Sequence, residues 1–473
     1  MSFDLFIKNG KVVGPHWVRE VDLGIEEGVI TYIGNSLKKY EAGKVIDATG
    51  KIVSPGGIDP HTHFETNFMG QQVLETWTQG SIAAAYGGTT SILDFSGLEK
   101  EEKGDTIKTV TNRKLDRAKR MSAVDYSVKP MLKNAYYNSV EDLSNITHDL
   151  VTQGIPGFKA FMAYRGLGLY TDDKWLFEIM KVVQKENAVL QIHAENGLIE
   201  EANRSTLIAE GKKDPIYHYY SKPNFVENMA IQTAMELAEV TKSPTYIVHQ
   251  STKEGLEIVS NYRMKGLNVF DETCPHYLTL TKKYLEDSKK GRYYICSPPL
   301  RDPEDVLALW DGLNTGKIQT IGSDHVPYTI EQKETFNEFT KVPNGDPGVE
   351  TRLPIVFSEG VVKGRITLQR FAEVTSTNVA KIFGMYPKKG TIQVGSDADL
   401  VLIDSSKEQR LRADDLHMAT DLSIYEDRTS NGWPTHTVLR GDVIIEDGNF
   451  LGKAGNGQYL TGKVDTSLLA NIR

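Results

Sequence analysis

His61 and His63 stand one residue apart in the stretch GIDPHTHFE (57–65), at the end of an apolar run that includes Ile52, Val53 and Ile58. Pro55, Gly56 and Gly57 interrupt that run, as expected of a short buried strand. On an extended chain, side chains i and i+2 point the same way, so both imidazoles aim at one place. Nitrogen ligands of this kind suit a divalent cation such as zinc. A lone His-x-His is more often two unrelated loop histidines, so the question is whether later strands end in ligand-type residues as well.

They do. Lys159 lies within Gly157-Phe158-Lys159-Ala160-Phe161, His193 ends Leu190-Gln191-Ile192-His193, His249 ends Tyr246-Ile247-Val248-His249, and Asp324 ends Ile321-Gly322-Ser323-Asp324. Taken singly, His193 reads as a hydrogen-bonded core histidine and Asp324 as a helix N-cap. Lys159 is harder to explain away, because a buried ammonium is costly unless paired and a metal would repel it. A neutral lysine amine that adds carbon dioxide becomes a carbamate. That group is anionic and has two oxygens able to bridge two metals.

The elements that must position these residues follow from the pattern between them. From about 53 to 385, strand-like runs alternate with helical ones. Gly80–Tyr86 reads as helix and Thr89–Phe95 as strand. Gly157–Met162, Ala188–His193, Thr245–His249, Leu267–Glu272 and Lys317–Gly322 are further strand candidates, with helices over Asp173–Glu186 and Val226–Val240. Such alternation argues for an α/β fold with a parallel sheet, and a closed (β/α)8 TIM-like barrel fits the length. Its chemistry would sit at the C-terminal ends of the strands, where these polar residues fall. Residues 1–52 carry short strands punctuated at Asn9-Gly10 and Glu26-Glu27-Gly28. A second group follows in 386–460, with a turn at Arg440-Gly441-Asp442. The simplest arrangement joins both ends in a discontinuous β-sandwich domain (1–52 and 386–460) around a catalytic barrel (53–385), leaving 461–473 as a polar tail or packing arm.

With 473 residues, 39% hydrophobic and 25% charged, the chain reads as an ordinary globular protein larger than one small domain. A net charge of -9 leaves no basic footprint for nucleic acid or an anionic membrane. No apolar run reaches membrane-spanning length, and MSFDLFIKNG lacks the pattern of a signal peptide. Two cysteines, Cys274 and Cys296, make a disulfide scaffold implausible, so the expected compartment is the cytoplasm.

The segments PGGIDPHTHFE, GFKAFMAY, HAENG, YIVHQS, ETCPHYL, SPPLR, IGSDH, FTKVPNGDPGVETR and KKGTIQVGSDADLVLID span nearly the whole chain. In them the protein resembles the hydantoinase and dihydropyrimidinase family of the amidohydrolase superfamily. The resemblance implies two Zn2+ ions per subunit (Mn2+ or Co2+ in their place), bridged by N6-carboxylysine at Lys159. His61, His63, Lys159 and Asp324 would hold the more buried ion; Lys159, His193 and His249 would hold the more exposed one. Tyr164 matches the family's substrate-binding tyrosine, and Ser297 and Asn344 match positions that hold the ring amide through backbone groups. The implied reaction is hydrolysis of a small cyclic ureide, a hydantoin or dihydropyrimidine, to an N-carbamoyl amino acid. A hydroxide between the metals would attack, Tyr164 would stabilise the oxyanion and Asp324 would carry the proton. A homotetramer is expected on the same ground.

Neighbouring activities compete with this reading. Dihydroorotases carry an arginine two positions after the second histidine, where this chain has Glu65; sharing parity with 61 and 63, Glu65 should point inward and repel a carboxylate substrate. Allantoinase has a related ring as substrate and stays open. A mononuclear deaminase lacks the strand-four lysine, and non-catalytic scaffold homologues have lost ligands that this chain keeps. Cys274 and His276 could suggest a thiol nucleophile, but the metal constellation already accounts for hydrolysis, and His325 is a weaker ligand candidate. The loops 64–69 and 165–169, which would contact the substituent on the ring, depart from the usual D-hydantoinase pattern.

Overall fold

A computed structural model describes residues 1–35, 37, 39–98 and 104–472. Eight parallel strands form the centre: β1 (Gly57–Thr62), β2 (Thr89–Ser96), β3 (Asp125–Pro130), β4 (Gly157–Phe161), β5 (Val189–His193), β6 (Thr245–Ile247), β7 (Val269–Thr273) and β8 (Thr320–Ile321). Strands β1 to β3 pair in sequence, as do β4 to β8. Two parallel bridges close the circle, Met131 with Lys159 and Thr62 with His325. Helices such as Trp77–Tyr86, Ile107–Met121, Asp173–Lys185, Asn224–Thr241 and Pro303–Thr315 lie between successive strands. The result is a (β/α)8 barrel, and its strands are buried along their whole lengths, as parallel strands covered on both faces must be.

Strand β3 is absent from the apolar pattern of the sequence because every second position is polar: Asp125, Ser127 and Lys129 are all buried. Asp125 is held by Lys389, at 2.6 Å, and by Arg440; Lys129 Nζ donates to the Pro60 carbonyl. The Asp125 charge is tolerated inside because cations await it, whereas burial pushes Lys129 well below its ordinary pKa.

The two chain ends share one nine-stranded sheet. Lys51–Pro55 is its hinge, pairing parallel with Ser2–Val13 and antiparallel with Leu400–Arg410 before the chain runs straight into β1. Asn9-Gly10 makes no turn. It is an irregularity inside the single strand Ser2–Val13, where Asn9 takes φ 61° and its N–H donates to Asp22. Glu27-Gly28 and Arg440-Gly441 are true hairpin turns with positive φ. The last residues are polar in composition yet pack: Leu469 and Ile472 are buried beside Val189, Tyr246 and Phe270.

Candidate active site

The ligand-type residues converge because five barrel strands deliver them to one rim. His61 is the penultimate residue of β1 and His63 follows the strand; Lys159 lies inside β4; His193 closes β5; His249 and Asp324 stand two and three residues beyond β6 and β8. All six line a single cavity, together with Tyr164, Ser297, Asn344, Phe68 and Leu98. Tyr164, His249 and Asp324 adopt left-handed backbone, with φ of 61°, 43° and 48°. That conformation costs a non-glycine residue about 1–3 kcal/mol and is held by the surrounding fold. Gly322 is required at its place, since a Cβ there would lie 2.8 Å from Glu272 Cδ and 2.9 Å from the His61 Cβ.

His61, His63 and Asp324 each offer a ligand atom, all within 4.8 Å of one another. Asp324 Oδ1 is 3.0 Å from His61 Nε2 and 3.4 Å from His63 Nε2. Across the cavity His193 Nδ1 lies 2.8 Å from His249 Nε2. Burial drives the His63 imidazole down to about 3 and pushes His193 and His249 down as well, so these rings are neutral and ligand-competent. For His61, burial also acts downward, but Asp324 and Glu272 outweigh it and hold its pKa above the ordinary value. Burial alone would raise Asp324; His61 and His63 overcome it and keep the carboxylate ionised. Burial lowers Lys159 to about 8. Its Nζ sits 4.7 Å from the Phe95 ring centroid, with no carboxylate in salt-bridge range among the described residues. His63 Nδ1 and His249 Nδ1 are buried without a hydrogen-bond partner. Neutral imidazoles, an ionised carboxylate and a solitary buried amine around one cavity are a donor set that fits divalent metal.

A second layer orients the first. Glu272 Oε1 takes His61 Nδ1 at 2.7 Å, which turns Nε2 toward the cavity, and Tyr246 donates to the other oxygen of Glu272 at 2.6 Å. Glu195 Oε2 holds His193 Nε2 at 2.8 Å and also accepts from Lys222 Nζ at 2.8 Å. The sequence reading missed these residues, although one signal was present: β7 also ends in polar residues, Glu272 and Thr273, yet was not counted among the strand ends.

Three expectations are altered or narrowed. Glu65 does not face the cavity. The strand ends at Thr62, the chain turns at Glu65 with φ 56°, and its carboxylate pairs with Arg117 while accepting from the Trp77 N–H. His325 has no free nitrogen for a metal, because Nδ1 accepts from the Gly348 and Val349 N–H groups and Nε2 meets Glu75. Burial pushes the Cys274 thiol well above its ordinary pKa, so it is no thiolate nucleophile.

The model of the amidohydrolase family matches residues 52–444. A D-hydantoinase from Geobacillus stearothermophilus is 40% identical over 468 residues, covering 98% of each chain. Among solved structures, a dihydropyrimidinase from Brevibacillus agri superposes with a TM-score of 0.92 at 38% identity, covering 97% of this chain and 99% of that one. An L-hydantoinase (dihydropyrimidinase) from Arthrobacter aurescens gives 0.89 at 32%, covering 97% and 100%. With a family match over most of its length and relatives of about 40% identity along nearly the whole chain, the chain belongs to the amidohydrolase family, within the hydantoinase and dihydropyrimidinase group.

Proposed function

We propose that the protein hydrolyses the ring amide of hydantoins or dihydropyrimidines to N-carbamoyl amino acids, with two zinc-class ions per chain and a carboxylated Lys159 between them. The observation that carries this reading is the convergence of His61, His63, Lys159, His193, His249 and Asp324 on one cavity with Tyr164, Ser297 and Asn344. His61, His63 and Asp324 would hold one ion and His193 and His249 the other, with Lys159 contributing to both. When bound, the ions supply Lewis acidity toward the ring carbonyl and toward water.

The protein's own groups do the rest. Asp324, ionised and at the cavity, accepts the proton of the attacking water and returns it to the ring nitrogen as the carbon–nitrogen bond breaks. Tyr164 keeps its phenol proton, because burial raises its pKa, and donates that hydrogen bond to the oxyanion. Backbone groups of Ser297 and Asn344 hold the ring's amide edge. Residues 53–385 serve as the catalytic unit, and the working form is a cytoplasmic, symmetric homotetramer. The membrane plays no part in this reading, and no helix among the described residues is long and apolar enough to cross one.

The test is a turnover screen of dihydrouracil, hydantoin, 5-substituted hydantoins, allantoin and dihydroorotate, before and after chelation. Chelator-sensitive opening of the hydantoin or dihydropyrimidine rings is expected. Preference for allantoin or dihydroorotate would move the protein to those neighbouring activities, and turnover that survives complete metal removal would overturn the reading. Light scattering at micromolar concentration should give the tetramer's mass.

A further inference from the structure

Two segments, 295–297 and 344–346, carry Ser297 and Asn344 to the cavity, and they are tied to each other twice. Asn344 Nδ2 donates to Ser297 Oγ at 2.9 Å, and the Gly345 N–H donates to the Ile295 carbonyl at 3.1 Å. The second tie needs glycine: Gly345 has φ 147°, and a Cβ there would lie 2.5 Å from the Val326 Cβ. Ser297, Asn344, Gly345 and Val326 all line the cavity. Next to this junction stands Lys333, fully buried on the short helix Ile330–Glu334. A capping box fixes that helix, the Gln332 N–H donating to Thr329 Oγ1 and the Thr329 N–H to Gln332 Oε1. Lys333 Nζ donates to the Ile295 carbonyl at 2.9 Å, the same oxygen that takes the Gly345 N–H. It also lies 3.9 Å from Asp346 Oδ1, and is the one cation in salt-bridge range of the buried Asp346 among the described residues. The ammonium therefore does two separable things. It balances the Asp346 charge, and it fills the second lone pair of the Ile295 carbonyl.

We infer that Lys333 is a positioning residue for ring binding, acting through the Ile295 carbonyl on the backbone of both Ser297 and Asn344. The peptide group is planar, so the Gly345 N–H and the Asn344 carbonyl share one plane, and the bond that fixes the first aims the second. On the other side, the Ile295 carbonyl sets the peptide plane one step before that of the Ser297 N–H. Lys333 thus holds the two peptides at one spacing and one orientation without touching the ring. The ring's amide edge is present before the attack as well as during it, so a looser hold is felt as weaker uniform binding, in KM and not in kcat. This inference rests on the backbone of Ser297 and Asn344 holding the ring, as proposed above.

Steady-state kinetics of the metal-loaded enzyme on dihydrouracil and hydantoin, read beside urea unfolding and metal content, test this. Lys333→Met should raise KM for both rings about tenfold, the worth of one hydrogen bond from a charged donor, with kcat within about threefold of wild type and metal content unchanged. It should also lower the urea midpoint, because Asp346 is left as a buried, unpaired charge. Adding Asp346→Asn removes that charge. The double variant should therefore regain most of the midpoint, while its KM stays about tenfold above that of Asp346→Asn alone, since the Ile295 carbonyl still lacks its donor. A KM that returns to the Asp346→Asn value together with the midpoint would overturn the inference and leave Lys333 as charge balance only. A fall in kcat at unchanged KM, or a loss of metal, would overturn it too. Should Lys333→Met fail to fold, the double variant compared with Asp346→Asn decides alone. A wild-type enzyme that opens neither ring would instead remove the ring-binding reading itself, before any variant is compared.

Discussion

Arg117 clasps Glu65 from outside the barrel wall, with Nη2 2.7 Å from Oε1 and Nε bonded to the other oxygen. Glu65 is therefore a structural acid, and any discrimination against an anionic ring must come from elsewhere. The cavity lining, among the described residues, holds no arginine that could receive a substrate carboxylate. Glu65→Gln should leave the ratio of kcat/KM for dihydrouracil over dihydroorotate within about twofold of wild type. Its cost should be a stability loss of up to ~1 kcal/mol, since Arg117 is largely exposed. A large gain in dihydroorotate turnover by this variant would return Glu65 to the site.

Lys159 should take up carbon dioxide faster as pH rises. Only the neutral amine adds it, and with a pKa near 8 about a tenth is neutral at pH 7 and about half at pH 8. Reactivation of chelated enzyme by metal and bicarbonate should therefore be several-fold faster at pH 8 than at pH 7. The sign for stability is the same. Between about pH 8 and 10.5 the unfolded chain binds more protons at this lysine than the folded one, so this group's contribution to metal-free stability rises with pH across that window. Lys159→Ala should lose most of its activity and bind less metal, and short carboxylic acids should partly restore it. Full activity with two metals retained would contradict the bridging role.

Asp324→Asn should fold normally and turn over about 10²–10⁴ times more slowly, the usual worth of a general base. Far-ultraviolet circular dichroism checks the fold and a coupled assay the rate. A variant within about tenfold of wild type would place the proton shuttle on another residue.

Lys389 joins the barrel to the sheet made by the chain ends. Its Nζ lies 2.6 Å from Asp125 and Asp399 and 2.9 Å from Asp397, all buried. Lys389→Met strands these carboxylates, and the expected loss is about 3–5 kcal/mol, read as a lower denaturant midpoint. Far from the cavity, the change should leave kcat intact wherever the variant is folded.

The residues of the candidate site were legible in the sequence because most are polar side chains at or just past the end of an apolar strand, while Lys159 stood out as a cation within one. Strand β3 was not, since Asp125 is buried through partners that lie far off in sequence, Lys389 and Arg440, and Lys129 through the Pro60 carbonyl. Glu195, Lys222 and Glu272 escaped for the same reason: a residue that orients another is defined by what it touches. Glu65 was misread because parity along an extended chain holds only while the chain stays extended, and this one turns past Thr62.

The barrel's closing seam has a consequence for how the chain reaches its native state. Where β1 meets the segment after β8, Ser323 N–H donates to Asp59, 264 residues away, and His63 N–H donates to His325. Contacts between such distant positions carry the largest loop-closure cost and form late. His61, His63 and Asp324 straddle that seam, so any ion they share ties the first strand of the barrel to the last. Metal should then slow unfolding more than it speeds folding, acting as a rivet on a ring that has already been drawn round.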